Sequence, residues 1–592
     1  MFSSFYSILS DNVVPDENIE EKIETSPTVV NYMGAPNYKL SPLNQLRMLV
    51  TCWFLGEPTY YVPSGDEKKD SKQLRRVGYG YNTKNIDTNE LEKLYMLQYL
   101  VGNSTMETFY KCTNEALNEE FECVLELAAI ARNEYNMRSG PCALLVLAAM
   151  HPKRTEFNKN NPKKFRQYAE KIIKIPTDAW SIFEIWTKIN NNINYNINKK
   201  DKKRGFPTIL KKCISQYLES TGVYQLKKYQ TRSNIVDLIR ITHPRSRKNE
   251  PLSEMVKTGT VEVADDEQTW EKLRSEGNDW VNIIRILKRL PHMALLRNLR
   301  GIGKEVPDAK YMEDVVVPML KSGVKGGKQF PFRYMSAYEE VNSTSADIDP
   351  SVRQILTNGI QQCIDIAMDN FPKLEGRTMC LSDNSGSAWG TFPSQYGKQT
   401  VAKIANLSSV MTVMNSKKGG VVGVFGDRLE LYPIDKVKKN KNRKILEKTE
   451  QVHKLGKTVG GCTENGIWLF FKQAIEEANN LSQSKTYWFD NIFIYSDMQC
   501  GHGGLYGSNQ DEYKQFCCKK NPRYINVLKL IQEYRKLVNP KVNVYCVQVA
   551  AYNNSLIPEM LYRTHLLSGW TGSEVVYAQE MNRIMDEIDA SN

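Results

Sequence analysis

The sequence predicts an α-helical repeat array followed by a doubly wound α/β domain. Between about Ser41 and Tyr338, apolar residues recur at three- and four-residue steps in one segment after another, with few convincing strands. From Thr378 onward, short apolar runs of strand length alternate with helical patterns, as in a parallel sheet with helices on both faces. The first of those strands runs into the polar loop Asp383-Asn384-Ser385-Gly386-Ser387. Ligand sites of open parallel sheets lie at that end of a strand.

Taken in order, residues 1–38 are polar, acidic and proline-containing, and are expected to form a mobile N-terminal tail. Residues 39–340 form the helical array. Its helical patterns are Leu91–Val101, Glu119–Ala131, Cys142–Met150, Lys163–Ile173, Ile209–Leu218, Trp280–Leu287 and Tyr311–Leu320. Paired helices without a fixed-length repeat indicate a degenerate solenoid that curves as it stacks. Residues 341–348 are expected to be a linker. Asp349-Pro350 then supplies the N-cap and first helical residue of Ser351–Phe371.

The α/β domain spans residues 349–592. Its expected elements are a strand over Thr378–Ser382, a helix over Thr400–Lys417 and a strand over Val421–Phe425. A helix at Asn465–Asn479, a strand at Trp488–Tyr495, a helix at Tyr524–Val538, a strand at Val542–Ala550 and a terminal helix from Ser573 continue the alternation.

A chain of 592 residues exceeds one hydrophobic core. With 41% apolar and 25% charged residues it has an ordinary globular composition, and no apolar run approaches a bilayer's thickness, so no membrane partner is expected. The first fifteen residues have no basic stretch and meet Asp11 early, unlike a secretory signal. Twelve cysteines without C-x-x-C pairs fit reduced thiols, and a cytoplasmic location is expected, with a nuclear fraction if the source is eukaryotic. A net charge of +12 has the sign that attracts polyanions, although solubility alone also accounts for it. Basic residues cluster at Lys199–Arg204, His243–Lys248 and Lys436–Lys444, and each cluster reads equally as a solvated loop.

Asp383 with Ser385 and Ser387, on a loop kept supple by Gly386, can converge three oxygens on one point. That suits a hard cation such as Mg²⁺, which takes oxygen ligands. The same residues would also serve as a helix cap and turn. Two further oxygen donors occupy comparable places: Thr463, after Gly460-Gly461-Cys462 and before a helix, and Asp497, just after a strand. In this order, Asp383, Ser385, Ser387, Thr463 and Asp497 resemble the metal-ion-dependent adhesion site (MIDAS) of a von Willebrand factor A (vWA) domain. The resemblance implies that the serines and the threonine reach the cation, the aspartates bind directly or through water, and a partner's carboxylate completes the shell. Cys462 intervenes where family members carry a small residue, so the threonine position is open to a one-residue slip.

Within the array, Phe54-Leu55-Gly56 with Thr59-Tyr60-Tyr61, Lys174-Ile175-Pro176-Thr177, Ala294 to Leu299, and Pro331-Phe332 with Tyr334 occur in order, with Lys228 to Arg232 and Asp237 to Arg240 between them. These stretches resemble the TROVE module of the Ro autoantigen. The resemblance implies a HEAT-like ring closed by the vWA domain. Such a monomeric protein binds small structured non-coding RNA on its basic outer surface, passes single-stranded 3′ ends of misfolded RNA through its hole, and serves RNA quality control. A nuclease, or another protein presenting a carboxylate to the metal site, would be a partner.

The residues agree at one place. If Tyr224 to Arg232 is helical, then Tyr224, Lys228 and Arg232 form one stripe, an aromatic face beside two cations that can stack a base and bind phosphate. Lys227, His243, Arg245, Arg247 and Lys248 extend it, and Arg297 and Arg300 are further phosphate candidates. A solvated basic helix, with Tyr224 partly in the core and Arg297 pairing within the ring, explains the same residues. This chain is about two residues shorter than the family pattern between Arg232 and Asp237 and lacks a histidine there.

No H-E-x-x-H, G-x-S-x-G or P-loop spacing is present, and the six histidines are not at metal-ligand spacing with acids, so no enzyme is expected. The leading expectation is an RNA-binding scaffold. A protein-interaction platform acting through the metal site is the alternative, and a Mg²⁺-dependent nuclease a third.

Overall fold

A computed structural model describes residues 19–26, 28–30, 36–52, 109–135, 137–191, 205–229, 235–245, 250–261, 269–343, 346–390, 399–435, 443–461, 464–480, 486–498, 510–518, 521–550, 555–559, 561–569, 572 and 574–591. The chain divides into two compact units. One holds Met1–Trp53, Glu57–Glu107 and His292–Asn592, the other Phe54–Gly56 and Thr108–Pro291.

The second unit is helical. Ser139–Met150 is apolar all round, and ten of its twelve residues are buried. It serves as the core element against which Phe121–Asn133 and Pro176–Asn191 pack. Asp178, buried near the start of the latter helix, accepts from the backbone N–H groups of Lys174 and Ile175 (3.0 and 3.1 Å) and pairs with Arg132 at 2.8 Å. The stretch Lys174-Ile175-Pro176-Thr177 thus leads into a carboxylate-held helix start with Pro176 as first residue. Thr208–Glu219, Val223–Tyr229, Ile235–Thr242 and Glu250–Thr258 follow as short helices. The expected helix Leu91–Val101 lies outside the described residues.

In the first unit, the helix Pro350–Ala367 begins where Asp349 accepts from the Ser351 and Val352 N–H groups. It packs on Pro331–Asn342 and Val317–Ser322. The pattern over Tyr311–Leu320 does not give one α-helix. Pro318 has no N–H and crowds the carbonyl four residues back, and a π-helical segment, Met312–Val316, precedes the turn containing it. The stretch expected to be a linker is packed at its described ends. Val341 closes the helix Pro331–Asn342, and Val341, Ala346 and Ile348 are all buried.

The segment expected to be a tail ends in structure. Strands β1 (Thr28–Val30) and β2 (Pro36–Tyr38) pair antiparallel, and Tyr38 exchanges backbone hydrogen bonds with Ser555. Next comes the helix Pro42–Cys52, whose buried Arg47 donates to Tyr577 Oη (2.6 Å) and the Leu566 carbonyl (2.7 Å). A tail reading misses the Tyr38–Ser555 pairing, and an array reading from residue 39 misses the Arg47 contacts, because the partners lie some 500 positions away.

Six strands form the main sheet: β3 (Thr378–Asp383), β4 (Gly420–Phe425), β5 (Leu429–Ile434), β6 (Asn491–Ser496), β9 (Asn543–Gln548) and β10 (Thr564–Ser568). A small ribbon, β7 (Cys517–Cys518) and β8 (Asn521–Ile525), stands apart. The main order is β10-β9-β6-β3-β4-β5, parallel except for the antiparallel edge strand β5. Helices cover both faces. Met379 and Leu381 of β3 join a core with Trp468, Phe471, Leu530 and Ile531. Ser382, on the opposite side of the pleat, meets Asn406 of the helix Val401–Asn415. The chain order reverses between β3 and β6, because β4 lies to one side of β3 and β6 to the other. That makes a topological switch point at their carboxyl ends.

The expected strand Trp488–Tyr495 begins only at Asn491, and Trp488 is 43% exposed. The helix expected from Tyr524 begins at Val527, because Tyr524 belongs to β8. Strands β5 and β10 are not evident from the sequence pattern.

Candidate metal centre and nucleic-acid surface

Asp383 is the last residue of β3, and Asp497 directly follows β6. Both are fully buried. The register pairs Ser382 with Tyr495, so the two carboxylates stand at the same edge of the sheet, at the switch point. Asp383 is held on both oxygens. The Ser385 N–H donates to Oδ1 at 2.9 Å, and Ser496 Oγ donates to Oδ2 at 2.7 Å. Burial, and then the neighbouring Asp497, push the Asp383 carboxyl up to about 7. Two carboxylates buried side by side are costly unless a positive charge lies between them.

Ser385 Oγ lies 3.1 Å from Ser387 Oγ. Ser385 is buried, whereas Ser387 is exposed on the short helix Gly386–Gly390. The third loop reaches the same place. The Gly386 N–H donates to the Gly461 carbonyl at 3.0 Å, while the Gly461 N–H donates to Asp427 Oδ2 at 3.3 Å. Gly460 has φ +90°, and a side chain there would overlap Asp427. Thr463 itself, two residues beyond Gly461, lies outside the described residues.

The structure therefore brings Asp383, Ser385, Ser387 and Asp497 to one strand-end crevice. Hydroxyl and carboxylate oxygens are the donors a small hard cation takes, and the paired buried carboxylates supply the charge it would neutralise. Among the described residues, no group of three or more His, Cys, Asp or Glu side chains is arranged to hold a metal, so the fit rests on the serine oxygens. Ser496, Asp427, Asn384 and Asn406 belong to this site's surroundings and were not singled out from the sequence. For Ser496, the signal was its place at the strand end opposite Asp383.

The basic stretch lies on the helical unit. Tyr224, Lys227 and Lys228 fall in the helix Val223–Tyr229, with Lys227 half-buried. Arg232, Arg247 and Lys248 lie outside the described residues, as do the tyrosines of Thr59-Tyr60-Tyr61. His243 is exposed at φ 49°, after the helix Ile235–Thr242. Arg245 is exposed, and its N–H donates to Glu219 Oε1 at 2.8 Å, tying this loop to the helix Thr208–Glu219. Arg297 and Arg300 fall in the other unit, one turn apart and both exposed on the helix His292–Glu305. Arg300 pairs with Glu340 at 3.1 Å.

Residues 85–279 match the TROVE domain. The matched span takes in the helical unit from Phe121–Asn133 to Trp270–Ser275. Among solved structures, the chain is similar to the crystal structure of the Deinococcus radiodurans RO (RSR) protein. The two are 12% identical, with 91% of this chain and 100% of that one covered at a TM-score of 0.51. That likeness is one of fold. No curated protein sequence matches the chain.

Proposed function

We propose that this chain is an RNA-binding scaffold of the Ro type. It takes small structured non-coding RNA on the basic face of its helical unit and handles single-stranded 3′ ends of misfolded RNA. The observation that carries this reading is the TROVE match over the unit that holds Tyr224, Lys227, His243 and Arg245. An aromatic face interleaved with cations suits stacking of unpaired bases and binding of phosphate. The α/β unit is read as a vWA domain. Asp383, Ser385, Ser387 and Asp497, with Thr463, would hold Mg²⁺ there, and the bound ion would supply a Lewis-acid position for a partner's carboxylate. Hydroxyl donors neutralise little of the cation's charge, which favours gripping a carboxylate over cleaving a phosphodiester. We read the chain as non-catalytic.

The test is a fluorescence-anisotropy titration of hairpin RNA with and without a single-stranded 3′ tail, at two salt concentrations. Expected is tighter binding of the tailed RNA, with affinity falling by orders of magnitude between about 50 and 200 mM salt as counterions are released. No binding of either RNA at low salt would sink the reading. The buried carboxylate pair at the switch point favours a second reading, a platform that docks an acidic protein through the metal site. In that case Lys228→Glu with Arg232→Glu leaves partner docking intact.

A further inference from the structure

We infer that Asn406 is a positioning residue for the metal loop, holding Asp383 to Ser387 in place from beneath. The inference rests on the metal reading of that loop. Asn406 lies fully buried in the helix Val401–Asn415, and its side chain makes four hydrogen bonds. Its Oδ1 accepts from Ser382 Oγ (2.7 Å) and Asn384 Nδ2 (2.8 Å). Its Nδ2 donates to Asn384 Oδ1 (2.9 Å) and meets His453 Nδ1 at 3.0 Å. Two lone pairs and two N–H bonds are all that a primary amide has, so Asn406 is saturated.

Two of those partners flank the first metal-loop carboxylate: Ser382 precedes Asp383 and Asn384 follows it. Asn384 is fixed further, its Nδ2 donating to the Ser382 carbonyl at 3.0 Å and its backbone N–H to the Phe425 carbonyl at 2.8 Å. The reciprocal amide pair Asn384–Asn406 therefore clamps the backbone on both sides of Asp383 to the covering helix.

The fourth hydrogen bond ties in a second helix. Because Nδ2 of Asn406 is a donor, His453 Nδ1 accepts and its proton sits on Nε2. His453 belongs to the helix Ile445–Gly456 and meets the ring of Trp389, two residues past Ser387, with centroids 6.1 Å apart. That helix comes so close that a Cβ on Gly456, its last residue, would overlap Asn384 Oδ1. Glycine at 456 and asparagine at 384 fit each other. His453 Nε2 is buried without a hydrogen-bond partner among the described residues, so the clamp is the reciprocal Asn384–Asn406 amide pair, which fixes the loop's geometry before any ligand arrives.

The test compares wild type with Asn406→Ala, Gly456→Ala and Ser416→Ala. The last is a control: Ser416 Oγ donates to the Gly376 carbonyl at the opposite end of the same helix and strand. In the metal-free chain, amide exchange over Ser385–Trp389 should speed up about tenfold or more in the first two variants and stay unchanged in the control. Mn²⁺ affinity by calorimetry should fall about 10–100-fold in the same two. If Asn406→Ala does not fold, Gly456→Ala carries the comparison from the other side. Equal loosening in all three variants, following their loss of stability, would overturn the positioning role. A wild type that binds no Mn²⁺ overturns the metal reading. The exchange arm then tells the failures apart, because a loop insensitive to Asn406→Ala and Gly456→Ala overturns the positioning role independently.

Discussion

Ser496 Oγ donates to Asp383 Oδ2 across 2.7 Å, so the last residue of one strand holds the carboxylate that ends its neighbour. The same hydroxyl accepts from the Met498 N–H at 3.0 Å, turning the chain just after Asp497. Replacing Ser496 with Ala removes both bonds inside a buried site. Stability should fall by about 1–3 kcal/mol, read as a lower urea midpoint with an unchanged slope.

Asp497→Asn removes the like charge beside Asp383. The metal-free chain should become more stable, since one source of repulsion at a fully buried carboxyl is gone. On the metal reading, Mg²⁺ at a hundred times its dissociation constant should stabilise the wild type by about 2.7 kcal/mol, and that gain should be lost in the variant. Thermal melts with and without Mg²⁺ check both signs together.

Lys228→Glu with Arg232→Glu should weaken RNA binding while leaving the melting temperature near wild type. The slope of log affinity against log salt should drop by roughly one for each phosphate that is no longer neutralised. Arg300→Glu is the comparison. Arg300 already pairs with Glu340, so its reversal should disturb that pair and cost less RNA affinity than the double change.

Arg47→Met breaks the hold of the helix Pro42–Cys52 on the sheet. The donors to Tyr577 Oη and the Leu566 carbonyl are removed in a buried setting, and the guanidinium no longer lies over the Tyr577 ring. A loss of about 2–3 kcal/mol is expected from calorimetric melts.

His565, buried in β10, is held down to about 3 by burial first and then by Arg535, Arg47 and Arg563. The folded value lies below the ordinary 6.5, so the neutral ring contributes stability that is complete above about 6.5 and is lost as pH falls from there towards 3. His453, also held down to about 3, adds a loss of the same sign. The buried Asp383 and Glu574 carboxyls, both pushed up to about 7, act with the opposite sign between pH 7 and pH 5, so the histidine contribution is read as a difference. By urea denaturation, wild type should lose roughly 2 kcal/mol of stability relative to His565→Gln over that window.

Elements set by local periodicity were legible in the sequence. Phe121–Asn133, Ser139–Met150, Thr208–Glu219 and Trp280–Leu287 fall within three residues of their apolar patterns, and Asp349 caps its helix as its type predicts. Strands β3, β4 and β9 announce themselves as apolar runs because both of their faces are buried. The edge strand β5 does not, since all but its last residue are exposed or half-buried and Pro433 interrupts it. Nor does β10, five residues whose pairing with β9 is decided only in three dimensions. The placing of Asp383 and Asp497 at neighbouring strand ends was legible because each follows an apolar run of strand length. Asn406 was not, because an asparagine within a helical pattern looks the same whether it faces water or the back of a strand-end loop.

The most direct test of the RNA-binding account is to photo-crosslink a hairpin RNA with a 3′ tail to the full chain and map the joined peptides by mass spectrometry. The account predicts that crosslinks concentrate within residues 208–248 of the helical unit. Crosslinks confined to residues 349–592, or none above a non-RNA polyanion control, would contradict it.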